Sequence, residues 1–350
     1  MACKVYLYSG AKELTYKNHA TTVELQVAKL KVFFIGRNAS QGLKESDDTS
    51  IHSVAMLAGH SVARDLSEKP DIVICVDWCK SAEEQLRKVR NQGIPSVLVK
   101  NEPSIVIPAH GKSRVDSKFD SVLEVGRPFG KIVIKWPQTW NTNYFDNTKR
   151  LDRTVSMSAN KFSFTKGELY SLRAKAYAEI QSLDLFGSGW NRPFFFNLLK
   201  LTKEFQIAVL AVPRKLTSSC VGNLRIKPCN FLGPAEDKLE TLSRYKVSLV
   251  IENSTEFMSE KLIDSILAGT IPVYVGPPVE IFGIPKELVV SAEPNILSIQ
   301  AALAKAHGMS HKEWHMRAKK WIMEPGVKES WGSQHVIRLI LETAELAIKR

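Results

Sequence analysis

Short runs of β-branched and aromatic residues recur along this chain, with helix-like stretches between them. "KLKVFFIG" (29–36), "PDIVICVDW" (70–78), "IPSVLVKNEP" (94–103) and "FDSVLEVG" (119–126) carry the Val, Ile and Phe of buried strands. Between them, "SIHSVAMLAGHSVARDL" (50–66) and "SAEEQLRKVRNQG" (81–93) repeat their apolar residues at helical spacing, the second from a Ser81 cap to a stop near Gly93. A helix between successive strands leaves no room for hairpin pairing. The alternation therefore predicts a parallel sheet covered by helices.

"KWPQTWNTNYFDNTKRLD" (135–152) interrupts the pattern with Pro, Asn, Asp and Trp and reads as a connection between domains. Alternation then resumes. "KGELYSLRAKAYAEIQSL" (166–183) is a predicted helix, "LDLFGSG" (183–189) a strand and turn, and "FQIAVLAV" (205–212) a strand. "AEDKLETLSRY" (235–245) is a short predicted helix, and from "PNILSIQAALAKAHG" (294–308) onwards the chain reads as mostly helical. The expected organisation is 1–150, an α/β domain; 151–310, a second α/β domain; and 311–350, terminal helices. Two doubly wound, Rossmann-like domains facing each other across a cleft are the most economical architecture for it.

The formal net charge of +12 favours a polyanionic partner such as a nucleotide, a nucleic acid or an anionic membrane surface. Lys and Arg are spread along the chain without a basic block, and aromatic–basic interleaving of the ribonucleoprotein type is missing. No stretch approaches the roughly 18–20 apolar residues that span a bilayer. Five cysteines at irregular spacing (Cys3, Cys75, Cys79, Cys220, Cys229) suggest reduced thiols in a cytoplasmic protein, and Cys75 and Cys79 read as core rather than metal ligands. His307, His311 and His315 are four apart, but Gly308 interrupts them, which favours a solvated basic face over a metal site.

The chemistry concentrates in "STEFMSEKLIDSILAGTIPVYVGPP" (254–278), between the predicted strands "YKVSLVIEN" (245–253) and "TIPVYVG" (270–276). Ser259 is a suitable N-cap, Leu262, Ile263, Ile266 and Leu267 repeat at helical spacing, and Gly269 is placed to end the helix. Lys261 in the first turn opposes the helix dipole, which prefers anions there. A cation just past a strand's carboxyl end makes sense if a bound anion lies between them. Asn253, Glu260 and Lys261 together could bind sugar hydroxyls and a diphosphate, although Glu260 alone could simply complement the dipole and Arg173 alone could be a surface charge.

"RYKVSLVIENSTEFMSEKLIDSILAGTIPVYVGPP" (244–278) resembles the donor-binding signature of the α-1,3/1,4-fucosyltransferases, glycosyltransferase family 10. Its strand ends in Glu-Asn, and after a short loop a Glu-Lys pair opens a helix ending in Ala-Gly-Thr-x-Pro-Val. "FLGPAEDKLETLSRYKVS" (231–248), "SLRAKAYAEIQSLDLFGSGWN" (171–191) and "LVKNEPSIVIP" (98–108) are similar to further family segments, in the family's order. Residues 1–90 match only in general α/β character.

The resemblance implies a GT-B fold, with GDP-fucose in the C-terminal domain and a glycan acceptor on the N-terminal side. It implies an inverting transfer of fucose, α-1,3 or α-1,4 to GlcNAc, with no cofactor required and a divalent cation at most stimulatory. Arg173 and Lys261 would neutralise the diphosphate, Glu260 would bind fucose hydroxyls, and Asn253, Phe257 and Ser259 would line the donor pocket. Glu102 would be the general base, with Asp77 the alternative carboxylate. Two departures bear on this: Ser259 stands where Thr is usual, and Phe257 where Tyr is common. The paired cysteines and membrane anchor of the animal enzymes are also missing, as in the soluble bacterial type. Two alternatives stay open, a GT-B transferase of another GDP- or UDP-sugar and a basic nucleic-acid-binding protein, as does peripheral attachment to an anionic membrane.

Overall fold

The computed structural model describes residues 29–37, 59–127, 135, 140–163, 165–191, 228–332, 335 and 338–342. The chain forms two compact units, one of 1–102, 109–137 and 331–350 and the other of 103–108 and 138–330. These units divide the chain otherwise than the expected 1–150, 151–310 and 311–350. The connection ends at 137/138, and the terminal residues from Trp331 return to the first unit.

The first unit holds β1 (Lys31–Ile35), β2 (Ser61–Val62), β3 (Ile72–Val76), β4 (Ser96–Lys100) and β5 (Ser121–Glu124), in the sheet order β2-β1-β3-β4-β5. Every pairing among them is parallel. Alternate residues point to opposite faces of a strand, and here both faces are covered. Val32, Phe34, Ile72, Ile74, Val97 and Val99 form one core, and Ile340 and Leu341 pack onto it from the end of the chain. Phe33, Ile35, Val73, Cys75 and Leu98 form the other, against Ala82, Leu86 and Val89 of helix α1 (Lys80–Asn91). Those three helix residues lie four and three apart, the spacing of a single apolar stripe.

Two local expectations are corrected. Residues 50–58 lie outside the described part, but 61–62 of the expected 50–66 helix form β2, because Val62 pairs with Val32 at the sheet edge. The cap of α1 is Cys79 rather than Ser81, and its extended backbone starts the helix without a capping hydrogen bond from the side chain. The strand expected at 205–212 lies outside the described residues, as do Cys3 and Cys220. Cys75, Cys79 and Cys229 are free thiols.

The second unit holds β6 (Leu151–Met157), β7 (Leu183–Phe186), β8 (Phe231–Gly233), β9 (Tyr245–Ile251), β10 (Ile271–Val275) and β11 (Val290–Ser291). Their order is β11-β10-β9-β6-β7-β8, again all parallel. Counted from β6, the described strands follow the order 3-2-1-4-5-6 of dinucleotide-binding sheets. The chain reverses direction across the sheet between β6 and β9, which places a crevice at their carboxyl ends. Around this sheet run α3 (Tyr170–Glu179), α4 (Lys238–Ser243), α5 (Lys261–Leu267), α6 (Ile296–Gly308) and α7 (His311–Ile322). A short α2 (Ser113–Asp116) belongs to the first unit, and α8 (Val327–Trp331) leads back towards it. No described helix is long and apolar enough to cross a membrane.

Candidate functional site

In the second unit, the crevice at the strand-order reversal is lined by Ser156 and Met157 of β6, Ser248 and Ile251 of β9, and two lysines, Lys238 and Lys261. Lys261 opens α5, whose cap is Glu260 in helical conformation, its side chain making no capping hydrogen bond to the helix. Ser259 is therefore not the cap expected from the sequence. Its hydroxyl donates to Glu252 Oε2 at 2.7 Å and accepts from Lys261 Nζ at 2.7 Å, while its N–H donates to Glu252 Oε1 at 3.0 Å. Gly269 ends the helix as expected, with a left-handed φ of 70° and its N–H donating to Ile266 O.

Charges are interleaved around this point. Lys261 Nζ lies 3.8 Å from Glu252 and 4.0 Å from Glu260, and Lys238 bridges Glu260 at 3.3 Å and Asp264. Burial pulls the Glu260 carboxyl upward, but Lys261 and Lys238 outweigh it and hold it at about 2. Glu252 is wholly buried, and desolvation raises its pKa against the opposing pull of Lys261. The Tyr274 hydroxyl, buried with no hydrogen-bond partner among the described residues, is raised by burial and by the nearby Glu252.

Arg173 sits on α3 and is 2% exposed. Its Nη2 donates to the carbonyl of Ile251, the last residue of β9, and to Asn253 Oδ1 at 3.3 Å. Its Nε is buried without a hydrogen-bond partner, and it makes no ion pair among the described residues. A buried guanidinium with no carboxylate beside it is costly unless an anion completes it. The short stretch 251–253 thus serves both cations, Arg173 through Ile251 and Asn253 and Lys261 through Glu252. Phe257 is 1% exposed, in a loop closed by bridges from Ser254 to Glu168 and to Phe257.

In the first unit, Glu102 lies two residues past β4 and is half-buried. Its N–H and that of Asn101 donate to Asp77 Oδ1 at 2.9 and 2.8 Å. Its carbonyl accepts from His110 Nδ1 at 2.7 Å, and His110 Nε2 accepts from the Trp78 N–H at 3.0 Å. Asp77 is fully buried with a left-handed φ of 58°. With an oxygen already holding two N–H groups and no exposure, it is badly placed to meet a substrate.

The three histidines do not form the solvated face that their spacing suggested. His307 bonds Asp152 and Thr154, His311 bonds the Gly269 carbonyl, and His315 bonds the Phe145 carbonyl. Each is half-buried; His307 ties its helix to β6, and His311 and His315 tie theirs to loops of the second unit. Among the described residues no group of three or more His, Cys, Asp or Glu could hold a metal ion.

Residue types alone did not single out Glu252, Lys238 or His110. Lys238 had a signal, since it stands in the segment 231–248 that resembles the family. Glu252 had one too, as the acid beside Asn253. His110 had none.

No protein-family model matches the chain. Over 44 residues it is 52% identical to a fucosyltransferase-like protein of Arabidopsis thaliana, a match covering 12% of this chain and 9% of that protein. The chain thus matches less than a tenth of that relative's length. The crystal structure of an α1,3-fucosyltransferase superposes with a TM-score of 0.52 at 14% identity, over 92% of this chain and 90% of that one. A crystal structure of α1,3-fucosyltransferase with GDP gives 0.51 at 14% identity, over 95% and 94%. At that identity the likeness shows the fold, two parallel-sheet α/β domains of the GT-B kind.

Proposed function

We propose that this protein is a glycosyltransferase that moves fucose from GDP-fucose to a glycan hydroxyl with inversion. The observation that carries the reading is the crevice between β6 and β9, lined by Lys261 and Lys238, together with the buried Arg173, which bonds the carboxyl end of β9 and keeps its Nε unsatisfied. Open α/β sheets bind nucleotides at such reversals. The resemblance of 244–278 and the 44-residue match favour fucose as the sugar.

In this reading Arg173 grips the diphosphate and Lys261, steered by Ser259, neutralises the charge that develops on it as the glycosidic bond breaks. Glu260, held ionised by its two lysines, accepts hydrogen bonds from sugar hydroxyls and steadies the oxocarbenium-like transition state. Asn253 and Phe257 shape the donor pocket. Glu102 takes the proton from the acceptor hydroxyl as it attacks. Side-chain cations perform the electrostatic work that a divalent ion performs in other transferases, so no metal is required.

The test is a GDP-release assay with GDP-fucose and a panel of acceptors that includes N-acetyllactosamine and its type 1 isomer. Release that depends on acceptor, and that exceeds release from GDP-mannose or UDP-sugars, is the expected result. Turnover of another sugar nucleotide in preference would reassign the donor. Salt-sensitive binding to DNA or RNA without any turnover would replace the enzyme reading altogether.

A further inference from the structure

We propose that Asp77 and His110 are positioning residues for the Glu102 carboxylate, an inference that rests on reading Glu102 as the general base. Glu102 lies beyond the last ladder pair of β4. Two buried side chains hold its backbone there. Asp77 Oδ1 takes the N–H of Glu102 at 2.9 Å and the N–H of Asn101 at 2.8 Å. His110 Nδ1 donates to the Glu102 carbonyl at 2.7 Å. Both peptide groups of the residue are thus held from outside its own strand.

The holders are themselves held. Asp77 sits directly after β3, and its N–H donates to Val99 O of β4 at 2.9 Å. His110 accepts from the Trp78 N–H through Nε2, and its carbonyl accepts from the buried Lys100 ammonium at 2.9 Å. One neutral tautomer, protonated on Nδ1, satisfies both ring contacts. Asp77 keeps a left-handed backbone at φ 58°, a conformation that Asp tolerates better than most residues but that still disfavours an L side chain. Such strain persists where the surroundings over-determine it, and it clusters at functional sites. A loop needing only an anchor could use one contact. Here the peptide groups on both sides of Glu102 are fixed, which sets the direction in which its side chain leaves the backbone.

Misplacing a reacting group by about an ångström can lower a rate by about 10²-fold. Asp77→Ala in the full-length protein is therefore expected to lower the fucosyl-transfer rate constant about tenfold to a hundredfold, with GDP affinity by calorimetry unchanged. Asp77→Asn, whose amide oxygen can still accept both N–H groups, should recover the rate to within a fewfold. In a Glu102→Gln background, adding Asp77→Ala should cost nothing further, since there is no base left to aim. A multiplicative loss in that background would overturn the inference while leaving the base reading intact. So would an Asp77→Asn enzyme as slow as Asp77→Ala, because Asp77 would then act through its charge. If Asp77→Ala does not fold, His110→Ala in the same cycle decides it, non-additivity supporting the proposal and additivity overturning it. Full activity of Glu102→Gln alone would instead remove the base reading, and the inference with it.

Discussion

Lys261 holds three contacts at once, a 2.7 Å hydrogen bond to Ser259 and ion pairs with Glu252 and Glu260. Its cation at the start of a helix was legible because it contradicts the dipole, and Glu260 was legible beside it; Glu252 was not singled out. Glu252 had only its place beside Asn253 as a signal, and its role emerges from its complete burial, which no residue pattern encodes. Lys261→Ala should weaken GDP binding and slow transfer by about tenfold to a hundredfold, the scale of a charge-assisted contact worth roughly 1.5–3 kcal/mol. Arg173→Lys should also be impaired, since an ammonium cannot span two acceptors as a guanidinium does. Wild-type kinetics from both would leave them as structural charges. Glu102→Gln should keep GDP affinity and lower the rate constant by roughly 10²–10⁴-fold, the range of general base catalysis; transfer at the native rate would move the base elsewhere. The buried Glu252 and the half-buried Glu260 predict opposite pH effects. Glu260, depressed to about 2, adds stability above the unfolded value of 4.5 that is lost as pH falls towards about 2. Glu252, raised above 4.5, favours the folded state fully below that value and loses this contribution as pH rises through its folded pKa. The melting temperature of Glu252→Gln relative to wild type should therefore climb between pH 4 and pH 8. A difference that stays flat would mean that Glu252 titrates alike folded and unfolded.

Elements with a continuous apolar run were readable almost to the residue. β3, β4 and β9 fall inside 70–78, 94–103 and 245–253, because a strand buried on both faces has no polar alternation to confuse it with surface. The short edge strand β2 was not, since two residues carry no period and their strand character comes only from pairing with β1. Helix ends were less legible than helix bodies. Ser81 and Ser259 look like caps, yet Ser81 lies inside α1 and Ser259 is drawn away by Glu252. The stop at Gly269 was legible for a physical reason, and the structure adds another. A Cβ there would lie 2.4 Å from the Phe145 carbonyl oxygen and 2.6 Å from Arg150 Nη2, in addition to the left-handed φ of 70°. Arg150 Nη2 also donates to the carbonyls of Phe145 and Ala268, at 3.0 Å each, so the clash falls on a hub that joins α5 to the segment before β6. Gly269→Ala should cost at least about 1–2 kcal/mol from the backbone conformation alone. Thermal unfolding of the variant should start several degrees lower; an unchanged melting curve would mean that the hub yields freely.

The whole-molecule arrangement was legible as a class and not as a topology. Alternation along the chain predicts parallel sheets, but it does not say that β6 sits beside β9, and the crevice exists only because it does. The same adjacency gives a spatial prediction. GDP should slow hydrogen exchange around 171–190 and 250–270, and EDTA should not abolish its binding. Protection confined to 1–130, or complete loss of binding on chelation, would count against the donor site placed here. The least legible feature was the return of the chain's end. An apolar helix near a terminus packs as well on one domain as on another, so 311–350 reads as one block, whereas the units divide at 330/331. Trp331 is 1% exposed, and Ile340 and Leu341 join the core formed by Val32, Ile72 and Val97 in the first sheet. Burying large apolar side chains is worth roughly 1.5–3 kcal/mol each, a large share of a domain's net stability of roughly 5–15 kcal/mol. Deleting residues 331–350 should therefore loosen the first unit while leaving the second able to bind GDP. Exchange should speed up across β1, β3 and β4, transfer should fail, and GDP affinity should hold. Loss of GDP binding on this deletion would show that the second unit does not stand by itself. Unchanged protection in β1, β3 and β4 would show that the returning segment adds little to the core it covers.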